Sequence, residues 1–427
     1  MLTSKLAWRN LWRHPRRTWL TIAAMVFSNV LLVFMISMQF GMYHRMIDNT
    51  LRLMTGHLQV QLDGYQDLPR IHKVVPNIEQ LAEDLRRLSA QAKQLSEDSN
   101  QPNVEQPPSI QVAARAQGFA LVSSQERSYG AMIIGVQPDY EGKISSLPGL
   151  VKQGDYLSSD SDAEVVIGLA LARNLKVTLG DELTLLGSGR DGSFVADVVR
   201  VRGLFDSGVA DLDRNLIHMP LKRFQESFAM GESGHQLVIM SEDFYQLDTL
   251  KSQLQPALSL QPKLKLLDWQ ELQPGLRQAI IADMASAWFM YGVLILLVAF
   301  SVLNTQLMSV LERTREFGIV MSLGLRPNRL GGLVMLESLL MASIGLALGM
   351  LLGVALVTYL NQNGFIIPGT EEAMARYNMP SRIYPSLNAG ALLLGPSIVW
   401  LGCLLASLYP ALRLQFLHPI EAMRSSQ

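Results

Sequence analysis

Four long runs without charge decide what this chain can fold into. Leu20–Phe40 and Met284–Leu311 contain no Asp, Glu, Lys or Arg; Leu330–Leu360 contains only Glu337, and Ala389–Leu412 again none. About 20 consecutive apolar residues suffice for a helix to cross the hydrocarbon core of a bilayer. Each run is therefore expected to be a transmembrane helix. Composition agrees: charged residues make up 17% of the 427, against about 25% in soluble domains, and mean hydropathy is +0.19. The first run follows basic residues, as a signal peptide would. Its apolar core exceeds the typical ~7–15 residues, however, and no small-x-small site follows Phe40, so it reads as an uncleaved anchor.

Basic residues in the short flanks set the orientation. Lys5, Arg9, Arg13, Arg16 and Arg17 precede the first run; Arg313, Arg315, Arg326 and Arg329 lie between the second and third; Arg413 and Arg424 follow the fourth. The stretch Asn361–Asn388 has only Arg376 and Arg382. Both termini and the Glu312–Arg329 loop are thus expected in the cytoplasm, and Gly41–Asp283 outside.

That outer stretch reads as a folded α+β domain. Gly56–Gln61 alternates like a strand, and Asn77–Leu95 places Ile78, Leu81, Leu85 and Leu88 at helical spacing. Asn100–Pro108 is a Pro/Gln-rich linker. Gly118–Ser123 and Ala131–Val136 form two strands across a charged turn. Val165–Gly168 leads into a short helix at Leu169–Leu175, and Gly180-Asp-Glu-Leu is a turn then a strand. Phe194–Gly203, His235–Met240 and Lys263–Leu267 are further strands, and Trp269–Ala282 is helical into the second membrane run.

Several chemistries are excluded. A formal charge of -1 gives no basic excess for nucleic acid. One cysteine, Cys403, rules out an intramolecular disulfide framework and any multi-Cys zinc site, and the seven His form no His-Glu-x-x-His pair. The single Gly-Lys pair, Gly142-Lys143, continues with Ile144, so the sequence carries no phosphate loop; nor does it carry a Gly-x-Ser-x-Gly elbow. Met25, Met35, Met38 and Met42 read as gap-filling apolar residues rather than a metal relay.

One membrane run, a large outer domain and three more runs resemble the FtsX/MacB-type ABC transporter permeases, in layout nearest the lipoprotein-releasing LolC/LolE group. Four stretches carry the resemblance: Leu311-Glu-Arg-Thr-Arg-Glu-Phe-Gly-Ile-Val-Met-Ser-Leu-Gly, Tyr409-Pro-Ala-Leu-Arg to His418-Pro-Ile-Glu-Ala-Met-Arg, Val166-Ile-Gly-Leu-Ala-Leu-Ala-Arg-Asn-Leu with Gly180-Asp-Glu-Leu, and Asp268-Trp-Gln-Glu-Leu-Gln-Pro. His418 stands where the family has Asp, a better helix cap before Pro419. The resemblance implies this order: 1–18 a cytoplasmic amphipathic segment, 19–42 the first helix, and 43–283 an extracytoplasmic, MacB-like α+β domain. There follow 284–311 the second helix, 312–329 a cytoplasmic coupling helix, 330–360 the third helix, 361–388 an outer loop, 389–412 the fourth helix and 413–427 a cytoplasmic tail.

By the same resemblance the chain is a permease and not an enzyme, and it binds no cofactor itself. ATP and Mg belong to a separate cytoplasmic ATPase, expected in two copies. A second permease copy or a sister permease, a periplasmic carrier or adaptor, and membrane lipids are the other implied partners; nucleic acid is not one. The implied location is the bacterial inner membrane and the implied task lipoprotein release. Efflux of peptides, antibiotics or other amphiphiles, and a force-transmitting signalling scaffold, remain alternatives.

Residue assignments follow. Glu312, Arg313, Arg315, Glu316, Phe317, Gly318, Val320 and Met321 make the coupling helix, with Phe317, Val320 and Met321 as an apolar stripe and Gly324 and Pro327 ending it. The resemblance implies that the stripe docks on the ATPase; an amphipathic turn on lipid headgroups is the other reading. Lys5, Trp8, Arg9, Trp12 and Arg13 form a basic, aromatic-flanked interfacial segment. Gly345, Gly349 and Gly353 give a smooth face for helix approach, read first as packing and second as a permease–permease contact. Glu337 reads as a packing or snorkelling carboxylate, and Asn29 and Asn304 as polar groups that face protein.

Overall fold

A computed structural model describes residues 2–98, 109–159, 162–241, 244–258, 262–366, 368–369, 382–387 and 389–414. The linker at 100–108, half of the loop at 361–388 and the tail with His418 and Pro419 lie outside the described residues. The chain divides into two compact units, one of Met1–His44, Gln278–Ile367 and Arg382–Gln427, the other of Arg45–Arg277 and Pro368–Ser381.

The helices run in order: α1 Leu2–Leu11, α2 Pro15–Leu53, α3 Ile78–Asp98, α4 Pro138–Ile144, α5 Leu169–Leu175, α6 Ala210–Asn215, α7 Leu221–Ser227, α8 Leu247–Leu258 and α9 Trp269–Leu272. Then come α10 Pro274–Glu312, α11 Thr314–Ser322, α12 Pro327–Asn363 and α13 Ala389–Arg413. The strands are β1 Leu58–Leu62, β2 Ile110–Ser123, β3 Ser128–Val136, β4 Val151–Gly154, β5 Glu164–Gly168, β6 Glu182–Ser188, β7 Phe194–Phe205, β8 Leu216–Pro220, β9 Gln236–Ser241 and β10 Leu264–Asp268.

Among the described residues four helices are long and apolar enough to cross a membrane: α2, α10, α12, and α13 from Leu392. Each outruns its uncharged core. At 1.5 Å per residue the 39 residues of α2 extend about 58 Å, roughly twice a hydrocarbon core. The helical stretch expected over Trp269–Ala282 is two helices instead. Gln273 leaves the helical region at φ -126°, ψ 64°, because the residue before a proline is driven out of it.

The helical unit is packed by Ile22, Met25, Leu32 and Ile36 of α2, Tyr291, Val298 and Val302 of α10, Met341 and Ala342 of α12, and Val399 and Cys403 of α13. Asn29 is buried, with its amide 3.5 Å from the Gly345 carbonyl. Asn304 differs from expectation: it is exposed on α10, and the buried amide is Gln306, two positions on. About 200°, a little over half a turn, separates the two, so a shift of two residues exchanges the faces.

The other unit is α+β. Six strands close a ring in the order β2–β3–β8–β5–β7–β6 and back to β2. The 14-residue β2 makes this closure possible. Its Ala120–Ser123 end pairs with β6, while Ile110–Arg115 pairs with β9 and extends the sheet through β1 to β10. Helix α7 lies close on β2 and β3, because Gly118 and Gly135 leave room for Phe224; a Cβ on Gly135 would stand 2.6 Å from that side chain's Cβ. Phe224 stacks on Phe228 at 4.3 Å, and both are fully buried.

A helix end leaves carbonyls without partners. Here Gly56 N donates to Leu51 O, Ser146 N to Arg52 O and Arg115 Nη1 to Met54 O, so the end of α2 is satisfied by the α+β unit. Arg115 is itself held in a buried pair with Glu141.

Candidate functional site

The segment that joins α10 to α12 is short and sharply bent. Arg313, at φ -99° and ψ 6°, breaks the helix between Glu312 and Thr314. Helix α11 then runs to Ser322 and stops where Gly324 takes φ +94°, a conformation that a side chain would strain. Gly324 N donates to Met321 O and Leu325 N to Val320 O, closing the C-terminus. Pro327 then starts α12, where a missing N–H costs nothing.

The apolar stripe expected to dock on the ATPase faces inward, against its own chain. Phe317 is 3% exposed and Met321 8%, packed with Val310, Leu330, Val334 and Leu414 of the same chain, with Val320 alongside. Gly318 is buried as well. The reason is local: the break at Arg313 turns α11 so that its stripe packs on the base of α12. What α11 leaves open is its other side. Ile319 is 47% exposed and Leu323 82%, with Arg315, Glu316 and Ser322 around them.

Charged groups tie this segment to the beginning of the chain. Arg13 Nη1 donates to Glu316 Oε2 and Arg17 Nη1 to Glu312 Oε2, each at 2.8 Å. The hydrogen bond from Arg13 holds the Glu316 carboxyl below the usual carboxylate range. Arg313 Nη1 donates to both oxygens of Glu337, at 3.1 and 3.2 Å, and Asn10 Nδ2 donates to Oε1 at 2.9 Å. Glu337 is only 5% exposed, so it is a buried ion-pair partner and not a snorkelling carboxylate.

The interfacial segment is also bent. Helix α1 stops at Leu11, and α2 begins at Pro15. Lys5 and Arg9 stay exposed, whereas Arg13 turns aside to Glu316 instead of continuing their face. Trp8 and Trp12 pack edge to face at 5.9 Å, and Trp12 lies 5.6 Å from Trp19.

Helix α2 of the same chain occupies the glycine face of α12. A Cβ on Gly345 would lie 2.7 Å from Met25 Cβ, on Gly349 2.5 Å from Asn29 Cβ, and on Gly353 3.1 Å from Val33. That agrees with the first reading of the face, internal packing. Asn10, Arg17 and Gln306 escaped the sequence reading. A signal existed for one of them: Arg13 and Arg17 are four apart, as are Glu312 and Glu316, and the two spacings match.

The family model described as FtsX-like permease C-terminal matches residues 288–419, and the MacB-like periplasmic core domain model matches 18–257. The chain belongs to the FtsX/MacB-type ABC transporter permease family. The permease is 26% identical over 312 residues to the lipoprotein-releasing system transmembrane protein LolC of Xylella fastidiosa strain 9a5c, covering 70% of this chain and 74% of that one. It is 20% identical over 317 residues to the protein of the same name from Neisseria meningitidis serogroup B, covering 71% and 75%. Among solved structures, the periplasmic region of MacB from Actinobacillus actinomycetemcomitans matches with a TM-score of 0.35 at 16% identity, over 53% of this chain and 94% of that one. The extracellular domain of the transporter YknZ from Gram-positive bacteria matches with 0.32 at 14%, over 50% and 100%. The family is one of membrane permease subunits, and the four apolar helices make this a multi-pass membrane protein.

Proposed function

We propose that the permease works in the bacterial inner membrane with a separate ATPase, and that together they release lipid-anchored proteins from that membrane toward the outer membrane. Docking is proposed on the exposed side of α11. The observation that carries it is that Ile319 and Leu323 stand open beside Arg315 and Glu316 between two membrane helices, while Phe317, Gly318 and Met321 are buried against their own chain. Large apolar side chains in an otherwise charged turn suit a partner's pocket. The basic flanks support placing that turn and both termini in the cytoplasm. ATP and Mg then reside on the partner. The names of the similar proteins support lipoproteins as cargo.

The test is to purify the intact complex from native membranes under mild detergent and identify its components by mass spectrometry. The expected result is an ATPase subunit, a second permease subunit and acylated lipoproteins. Recovery of soluble peptides or a peptidoglycan-cleaving enzyme, with no lipoprotein enriched, would replace this reading.

A further inference from the structure

Glu337 is the only Asp, Glu, Lys or Arg between Leu330 and Leu360, and donors from two distant stretches of chain converge on it. Arg313 comes from the break between α10 and α11, and Asn10 from α1. A charge buried this far persists only when paired and hydrogen-bonded. The Arg313 guanidinium also lies 4.9 Å from the centre of the Phe317 ring. The ion pair and the buried stripe of α11 are therefore one construction. Beside them is a cavity of about 30 Å³, into whose wall Gln306 and Arg313 contribute. Among the described residues Gln306 Oε1 and Arg313 Nε have no hydrogen-bond partner, and the volume admits a water. The exposed pairs Arg13–Glu316 and Arg17–Glu312 close the outside, but exposed pairs are weak individually.

We infer that Glu337 is a positioning residue that locks α1, α11 and α12 into one body across the break at Arg313. Without it, a push on the exposed side of α11 would be absorbed by rotation at that break. With it, the push moves α12 directly. The source of the push rests on the docking reading above; the lock itself does not.

The experiment uses the full-length chain in lipid nanodiscs, with spin labels at Lys5→Cys on α1 and Ser322→Cys on α11, both exposed positions. Wild type is expected to give a narrow distance distribution. Glu337→Gln keeps the size and an acceptor oxygen but removes the charge. It is expected to broaden the distribution at least twofold, leave ATPase binding unchanged, and lower cargo released per ATP about tenfold. Should that variant fail to accumulate, Asn10→Ala removes one arm only and is expected to act in the same direction. A narrow distribution in the variant overturns the lock, and so does broadening with wild-type release per ATP. If the ATPase fails to bind even the wild-type chain, the docking reading falls alone, and the distance distributions still decide the lock.

Discussion

Buried polar side chains are the residues on which a single substitution or a change of pH acts most strongly. In the α+β unit, burial pushes the His218 imidazole down to about 3, and the charge of Arg115 adds to the effect. Burial pushes His235 down to about 4, although its contact with the Ile71 carbonyl resists the shift. Both are thus neutral in the folded unit at every pH near neutrality. In the unfolded chain each titrates near 6.5. Below that pH the unfolded state binds protons that the folded state refuses, so stability falls as pH drops from about 6.5 toward 4. Thermal melts of the detergent-solubilised chain followed by circular dichroism should show the β-rich transition moving to lower temperature between pH 7 and pH 5. A pH-independent transition would mean that one or both rings reach solvent. Sequence identified Glu337 as special and offered packing among its readings, but not its partners. Its partners Arg313 and Asn10 are 24 and 327 positions away, and no local pattern reports pairing at such separations.

Elements repeat the same lesson about sides. Periodicity located α11 and its stripe correctly, because 3.6-residue spacing fixes which residues share a face. It is silent on what covers that face, and the cover is Leu330, Val334 and Leu414 of the same chain. Leu323→Asp should therefore weaken ATPase docking by on the order of 2 kcal/mol or more, roughly thirtyfold. Phe317→Ala should instead lower the thermal stability of the helical unit by about 3–5 kcal/mol. Quantitative co-purification beside melting curves separates the two effects, and the reverse assignment would restore the stripe as the docking face. The glycines were legible as a packing surface, but the identity of the packed helix was not. Gly349→Leu should overpack against Asn29 and cost about 1–3 kcal/mol, seen as reduced membrane level or melting temperature with subunit pairing retained. Strand candidates from Gly56 to Leu267 emerged wherever alternation was clean. β8 did not, since Leu-Ile-His-Met-Pro is buried on both faces and includes a histidine and a proline, which conceal a strand. Ring closure through β2 was equally hidden, because one long strand with different partners along one edge carries no sequence mark.

For the whole molecule, apolar runs and basic flanks together specify a topology. Reporters placed after Gln427 and at Gly324 should both read cytoplasm, and one at Asn100 the opposite side; a cytoplasmic signal at Asn100 would break the four-helix arrangement. Layout and motifs made the family legible, since one apolar helix before a large domain and three after it leave few alternatives. Cargo was not legible, because no residue pattern in the sequence specifies a substrate. The central claim is that the exposed side of α11 meets a separate ATPase, and site-specific photocrosslinking in living cells tests it most directly. A photoreactive residue at Leu323, 82% exposed, should give a crosslink to an ATPase subunit, whereas the same probe at Phe317 should crosslink only within the chain. Crosslinks to lipid alone from Leu323, or ATPase crosslinks from Phe317 and none from Leu323, would contradict the account.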